Sequence, residues 1–264
     1  SSAASDVYKR QILYWVGCAA SYDRRAQKVA RAMVKLLKAS GVSFAIMQEE
    51  RCHGEFARRM GEEYLFQTAA QENLDNFAQY SFKRILTACP HCFNTLAREY
   101  PAFEGFNYSV ISHTVWLNEM IQSGKLPRPS ATLGSTAYHD PCYLARMNGI
   151  VDAPRNVLKS VSGDLRLPAE TGTRTFCCGA GGGQMWSEGN VAKTVNVIRL
   201  KDLRATGASQ VAVACPHCLT MLESAKSLDK SASETAIKDV AELVLEALES
   251  QSLLNDKTEE VAHG

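Results

Sequence analysis

The chain has 264 residues, 45% hydrophobic and 22% charged, which is enough to bury a sizeable core in two units of ordinary domain size. A net charge of +1 with both signs interspersed gives no electrostatic basis for binding nucleic acid or an anionic membrane surface. No apolar run approaches the roughly 20 residues that span a bilayer, and no secretory signal with a cleavage site is visible, so the expected location is cytoplasmic.

Residues 1–11 (SSAASDVYKRQ) show no periodicity and are read as a non-native leader. A strand begins abruptly behind them, so the natural product is expected to extend upstream, with this chain as its C-terminal part. The first unit, 12–126, reads as strand 12–16, helix 23–39 (Val29, Ala32, Met33, Leu36 and Leu37 on one face), strand 43–47 and one long helix 57–79. It continues with strand 84–88, a helix opening at Pro90, strand 108–112 and helix 114–123. Pro127 and Pro129 mark a linker between Lys125 and Ser130. The second unit, 127–249, repeats the order: strand 134–139, helix 154–161, strand 164–167, helix 188–205, strand 210–214, a helix from Pro216 and helix 239–249. The polar tail 250–264 is expected to be disordered. Alternating strands and helices predict an α/β fold with one parallel sheet per unit, a tandem duplication with pseudo-twofold symmetry.

The nine cysteines carry the chemistry. In the second unit Cys142 precedes the pair Cys177-Cys178, then Gly179, then Cys215-Pro216-His217-Cys218. In the first, Cys18 precedes Cys52-His53-Gly54 and then Cys89-Pro90-His91-Cys92. Matching cysteines lie 124, 125 and 126 residues apart, a register that a separate structural role for each cysteine does not explain. Cys18, Cys89 and Cys215 are expected at strand carboxyl ends, where α/β sheets bind ligands. Proline suits the first position of the helix that follows, which puts Cys92 and Cys218 in a first turn rich in free N–H donors. Disulfides need an oxidising compartment for which there is no signal, and a structural zinc site uses four ligands and leaves a thiolate spare in the second set. Iron–sulfur ligation is favoured over both, because it uses cysteines gathered from distant loops.

Neighbouring residues have alternative readings. Gly179-Ala180-Gly181-Gly182-Gly183 is read as close backbone approach to a cluster rather than a phosphate loop. Met60 and Glu63 recur as Met185 and Glu188, read as core methionine and helix-start carboxylate or as pocket lining. Arg58 and Arg59 either offset cluster charge or lie on the surface. His91 and His217 either donate to cluster sulfur or face solvent. His139-Asp140 either makes a strand-end hydrogen bond or relays protons, and Trp15 and Trp186 are read as shields.

Cys, a spacer in the thirties, Cys-Cys-Gly, a similar spacer and Cys-x-x-Cys resemble the cysteine-rich CCG domain of heterodisulfide reductase catalytic subunits and related iron–sulfur oxidoreductases. The resemblance covers residues 12–249 in two copies. Tyr14-Trp15-Val16-Gly17-Cys18, the segment Thr87 to Leu96, Tyr138 to Leu144 and Phe176 to Gly183 are most similar to the branch associated with electron-transfer flavoproteins and linked to menaquinone. The resemblance implies an iron–sulfur oxidoreductase subunit relaying electrons from an electron-transfer flavoprotein or other flavoprotein dehydrogenase to a membrane quinone pool, at the cytoplasmic face of the membrane in a full-length protein with a membrane domain or subunit. Heterodisulfide reductase-like disulfide reduction, or service to a glycolate, lactate or glycerol-phosphate dehydrogenase, is the alternative; a zinc-binding scaffold is the non-enzyme alternative. It further implies that Cys142, Cys177, Cys178, Cys215 and Cys218 hold a noncubane [4Fe–4S] cluster. His53 stands where the family has a second cysteine, so Cys18, Cys52, Cys89 and Cys92 are left to hold an ordinary [4Fe–4S] cube, with His53 as a further candidate ligand.

Overall fold

The computed structural model describes residues 11–130, 133–186 and 190–254. In the first half, β1 (Ile12–Trp15) leads through α1 (Gly17–Tyr22) and α2 (Arg24–Ala39) to β2 (Phe44–Ala45). Then follow α3 (Glu55–Arg59), α4 (Glu63–Phe77), β3 (Arg84–Thr87), α5 (Pro90–Asn94), β4 (Ser109–Ser112) and α6 (His113–Gln122). The second half contains β5 (Thr136–Tyr138), α7 (Cys142–Ala145), α8 (Asp152–Val161), β6 (Leu165–Arg166), α9 (Asn190–Ala205), β7 (Gln210–Val213), α10 (Pro216–Leu228), β8 (Ala236–Asp239) and α11 (Val240–Ser250). The two sheets, ordered β2-β1-β3-β4 and β6-β5-β7-β8, have the same topology, and every pairing is parallel. The expected α/β duplication is therefore present.

Strand alternation sorts the core. On β1, Ile12 and Tyr14 face a large apolar cluster that takes in residues of both halves, while Leu13 and Trp15 face a smaller cluster confined to the first half. The apolar stripe of α2 (Ala26, Val29, Ala32, Met33, Leu36, Leu37) is buried, and α2 packs on α11 as α6 packs on α8. Asp23 caps α2 by accepting from the N–H groups of Arg25 and Ala26. Polar contacts cross the same seam: Arg25 pairs with Glu242 at 2.8 Å, and the buried His113 Nε2 lies 3.1 Å from Asp239 Oδ1.

Four expectations change. The long helix 57–79 is two helices, because the Gly61 N–H bonds Arg58 O and the Glu62 N–H bonds Ala57 O, a Schellman closure with Gly61 at φ +90°. Cys18 stands inside α1, three residues beyond the end of β1. Strand β8 and the short helices α1 and α7 belong to the fold although the periodicity did not announce them. At the tail, Gln251 exchanges hydrogen bonds with the backbone of Ser130; residues 255–264 lie outside the described residues, as do 1–10 and Glu188.

Candidate metal centre

The fold gathers all nine cysteines at one end of the paired sheets, and all are free thiols. Cys89 and Cys215 are the N-cap residues of α5 and α10, each with proline next, and so Cys92 and Cys218 enter the first turn. Cys18 and Cys142 sit in α1 and α7. Cys52 and Cys177 come from loops whose glycines turn back on them: the Gly54 N–H reaches Cys52 Sγ at 3.5 Å and the Gly179 N–H reaches Cys177 Sγ at 3.2 Å. Both glycines have positive φ, +85° and +91°, a conformation that disfavours a side chain. Cys89, Cys92, Cys178, Cys215 and Cys218 are buried, and Cys52 is exposed.

Within each set the thiols share protons. The hydrogen bond from Cys18 brings the Cys52 thiol down to about 5, and those from Cys142 and Cys178 bring Cys177 down to about 2. Their partners Cys18 and Cys142 are pushed up by the same bonds. The hydrogen bond to Cys177 also holds Cys178 up at about 12. Anionic sulfur therefore concentrates on the loop cysteines, beside backbone N–H donors. The two sets also face each other across the seam between the halves, where His91 of one Cys-Pro-His-Cys segment lies edge-on to His217 of the other with centroids 5.0 Å apart.

Both histidines of the Cys-Pro-His-Cys segments are 3% exposed, so the solvent-facing alternative fails. Burial lowers the His217 pKa, but its hydrogen bond to Cys89 and the charge there outweigh this and leave the imidazole above its usual range. His91 stacks on Tyr143 with centroids 4.1 Å apart, and its Nδ1 lies 3.3 Å from the buried carboxylate of Glu55. Tyr143 donates to the other oxygen of Glu55 at 2.6 Å. His53 is also buried, and its Nδ1 accepts the Glu55 N–H at 3.3 Å, which commits that nitrogen to the backbone.

Sequence reasoning missed Glu50, Glu55 and Arg199, and of its two readings of Asp140 the hydrogen-bonding one holds. Glu50 accepts the N–H groups of Val16 and Gly17 at 2.9 and 2.6 Å and so anchors the helix that carries Cys18, with burial pushing its carboxyl up to about 7. Asp140 accepts from Arg155, Thr171 and the Gly172 N–H, a fastening role rather than a relay. Arg199 is fully buried and donates to His139, whose Nε2 lies 3.3 Å from Cys218 Sγ. An arginine on the buried stripe Asn196, Leu200, Leu203 was the available signal. Arg58 and Arg59 both pair with Glu99, which takes up charge that the sequence reading offered to a cluster. Met60 and Trp186 are 66% and 69% exposed, so neither the core reading of Met60 nor the shielding role of Trp186 holds, whereas Trp15 is buried against Phe77.

This donor set fits a soft, anionic metal centre: clustered thiols, helix N-termini and a buried guanidinium, in a chain without disulfides among its cysteines. The family model for the CCG cysteine-rich domain matches twice, at residues 12–97 and 136–223, and the chain belongs to that family. It is 40% identical over 248 residues to an EtfAB:quinone oxidoreductase of Syntrophomonas wolfei, covering 90% of this chain and 34% of that protein. It is likewise 40% identical over 241 residues to the probable iron-sulfur-binding oxidoreductase FadF of Bacillus subtilis, covering 90% and 34%. A subunit of the dihydromethanophenazine:CoB--CoM heterodisulfide reductase of Methanosarcina barkeri is 32% identical over 248 residues, covering 91% and 59%. The chain thus spans about a third of the first two relatives' length and three fifths of the third's. No helix among the described residues is long and apolar enough to cross a membrane.

Proposed function

We propose that this chain is the cluster-bearing part of an iron–sulfur oxidoreductase that relays electrons from an electron-transfer flavoprotein, or another flavoprotein dehydrogenase, to a membrane quinone pool. The observation that carries this reading is that the two cysteine sets meet across the seam, where His91 lies edge-on to His217 with centroids 5.0 Å apart and Tyr143 donates to Glu55 at 2.6 Å. Two redox sites that touch across a seam suit transfer of electrons between them. Cys142, Cys177, Cys178, Cys215 and Cys218 would hold a noncubane [4Fe–4S] cluster, and Cys18, Cys52, Cys89 and Cys92 a second [4Fe–4S] cluster; a bound cluster supplies one-electron redox chemistry, and the chain supplies burial, hydrogen bonds and orientation. Residues 12–126 and 127–249 are taken as the two units, each containing one family match. The partner surfaces lie in the longer protein, which this reading sets at the cytoplasmic face of the membrane.

The 32% identity to a heterodisulfide reductase subunit supports a second reading, two-electron reduction of a disulfide at the second set. His53 in place of a second vicinal cysteine weighs against it, because the two sites then differ in ligands. Anaerobic production followed by iron, sulfide and zinc analysis with EPR tests both. About eight irons and eight sulfides per chain are expected from two four-iron clusters, falling by half when Cys177 and Cys178 become serine. Stoichiometric zinc without sulfide after anaerobic reconstitution rejects both readings in favour of a zinc-binding scaffold. Turnover with a flavoprotein and a quinone, against turnover with a disulfide, separates the first from the second.

A further inference from the structure

Arg199 is an arginine in the wrong place for an ordinary surface helix. It is 0% exposed on the buried stripe of α9, and among the described residues no carboxylate reaches it within the 4.0 Å of an ion pair. Its contacts are neutral: Nε donates to His139 Nδ1 at 2.9 Å, Nη1 to Glu170 O at 3.2 Å and Nη2 to Thr175 Oγ1 at 3.4 Å. A buried guanidinium without a carboxylate calls for an anion near by. The carboxylates of Asp202 and Asp140 act on it from beyond that distance, and the Cys218 sulfur lies one imidazole away.

We propose that Arg199 is a positioning residue that locks His139 as the Nε2–H tautomer, so that the imidazole donates its hydrogen to Cys218 and raises the reduction potential of the cluster held at the second cysteine set. This rests on the cluster reading given above. The tautomer follows from donor chemistry. A guanidinium has no acceptor, so the Nδ1 it meets must present a lone pair, and the single hydrogen of a neutral imidazole sits on Nε2. That nitrogen faces Cys218 Sγ at 3.3 Å. Hydrogen bonds to cluster sulfur raise its potential by stabilising the more negative, reduced state.

The same geometry bears on a rival role for His139. The ligand atoms of His139, Cys178 and Cys218 lie within 4.8 Å of one another, as in a metal site. An imidazole bound to iron through Nε2 carries its hydrogen on Nδ1, and there it would oppose the Arg199 N–H donor to donor. Arg199 therefore favours His139 as donor to a ligand over His139 as ligand. The first half lacks the device. At the repeat offsets of 124 and 126, Trp15 stands for His139 and Asn73 for Arg199, and Asn73 bonds Cys52 O and Tyr100 Oη instead. The duplicated sites are thereby set apart, the second the better electron acceptor.

The test is an EPR-monitored redox titration of the anaerobically produced chain beside Arg199→Met, His139→Phe and the double variant, each checked for iron and sulfide content. Each single variant is expected to shift the second site's reduction equilibrium at least tenfold towards the oxidised form, about 59 mV for one electron. The double variant is expected to fall no further than His139→Phe, since Arg199 acts through the imidazole. An unmoved potential in Arg199→Met, or the same drop from it in the His139→Phe background, overturns the proposal. Should the variants not fold, pulsed EPR of the unmutated chain carrying ¹⁵N-histidine decides: weak coupling supports a hydrogen-bonded imidazole, and the strong coupling of an iron-bound nitrogen overturns it. An unmutated chain without iron and sulfide overturns the cluster reading and this inference together, whereas loaded clusters with unmoved potentials overturn this inference alone.

Discussion

Single residues set how the loop cysteines are presented. Gly54 holds φ +85° directly behind Cys52-His53, and a Cβ there would meet Phe66 Cδ2 at 3.0 Å and Phe66 Cα at 3.2 Å. Left-handed backbone costs an ordinary residue about 1–2 kcal/mol, before any contact with the Phe66 backbone is relieved. Gly54→Ala is therefore expected to destabilise the chain by about 2 kcal/mol or more, read from urea denaturation; a change within a few tenths would show that the loop relaxes freely. Much at this scale was legible, since the nine cysteines and the glycines behind them stand out as a repeated pattern. Arg199, Glu50 and Glu55 were not, because each acts through a partner tens of residues away in sequence that only the fold brings near: His139, the Val16 and Gly17 amides, and His91 with Tyr143. Solvent exposure was also unreadable for His91 and His217, whose short segment lies under the opposite half.

At the scale of elements, helix ends do the positioning. Glu50 reaches from the loop after β2 to the first amides of α1, the helix that carries Cys18. Glu50→Ala leaves two part-buried N–H groups without their acceptor, each worth about 1–3 kcal/mol when unsatisfied. It should lower stability by at least about 1 kcal/mol and make Cys18 react faster with a thiol reagent than in the unmutated chain. Unchanged reactivity would mean that α1 holds its place without the carboxylate. In the second half Asp239 closes a capping box with Glu242 at the start of α11 and also meets His113. Asp239→Ala should cost about 2 kcal/mol in thermal denaturation, the upper end for a lost N-cap, because a buried imidazole loses its partner too. The long amphipathic helices were readable from their apolar stripes, and α2 and α11 fall within two residues of expectation. The break at Gly61 was hidden because the apolar residues on either side kept a helical spacing. Strand β8 escaped because only Ile237 and Asp239 of its four residues turn inward, too short a pattern to show alternation.

The whole molecule is held by a core that belongs to neither half alone. The large apolar cluster joins Ile12, Tyr14, Met33, Leu36 and Trp116 to Ala137, Val157, Leu222 and Val244. Cutting the chain at the linker would expose that surface on both pieces. One cooperative urea transition is expected for the intact chain, and residues 12–126 produced alone are expected to show no sharp transition of their own. Two separated transitions by circular dichroism would show that the halves fold independently. The duplication itself could be read from cysteine spacing and strand order, but the seam could not, because no periodicity says which face of a helix meets the other repeat.

Each sheet ends on one side in a strand of only two residues, β2 and β6. Such a stub offers too few free backbone groups to template a strand from another molecule. The consequence is for a chain whose cysteines are not yet loaded and which meets other copies of itself. The stubs protect it from edge-to-edge pairing on those sides, whether or not the cysteines hold a metal.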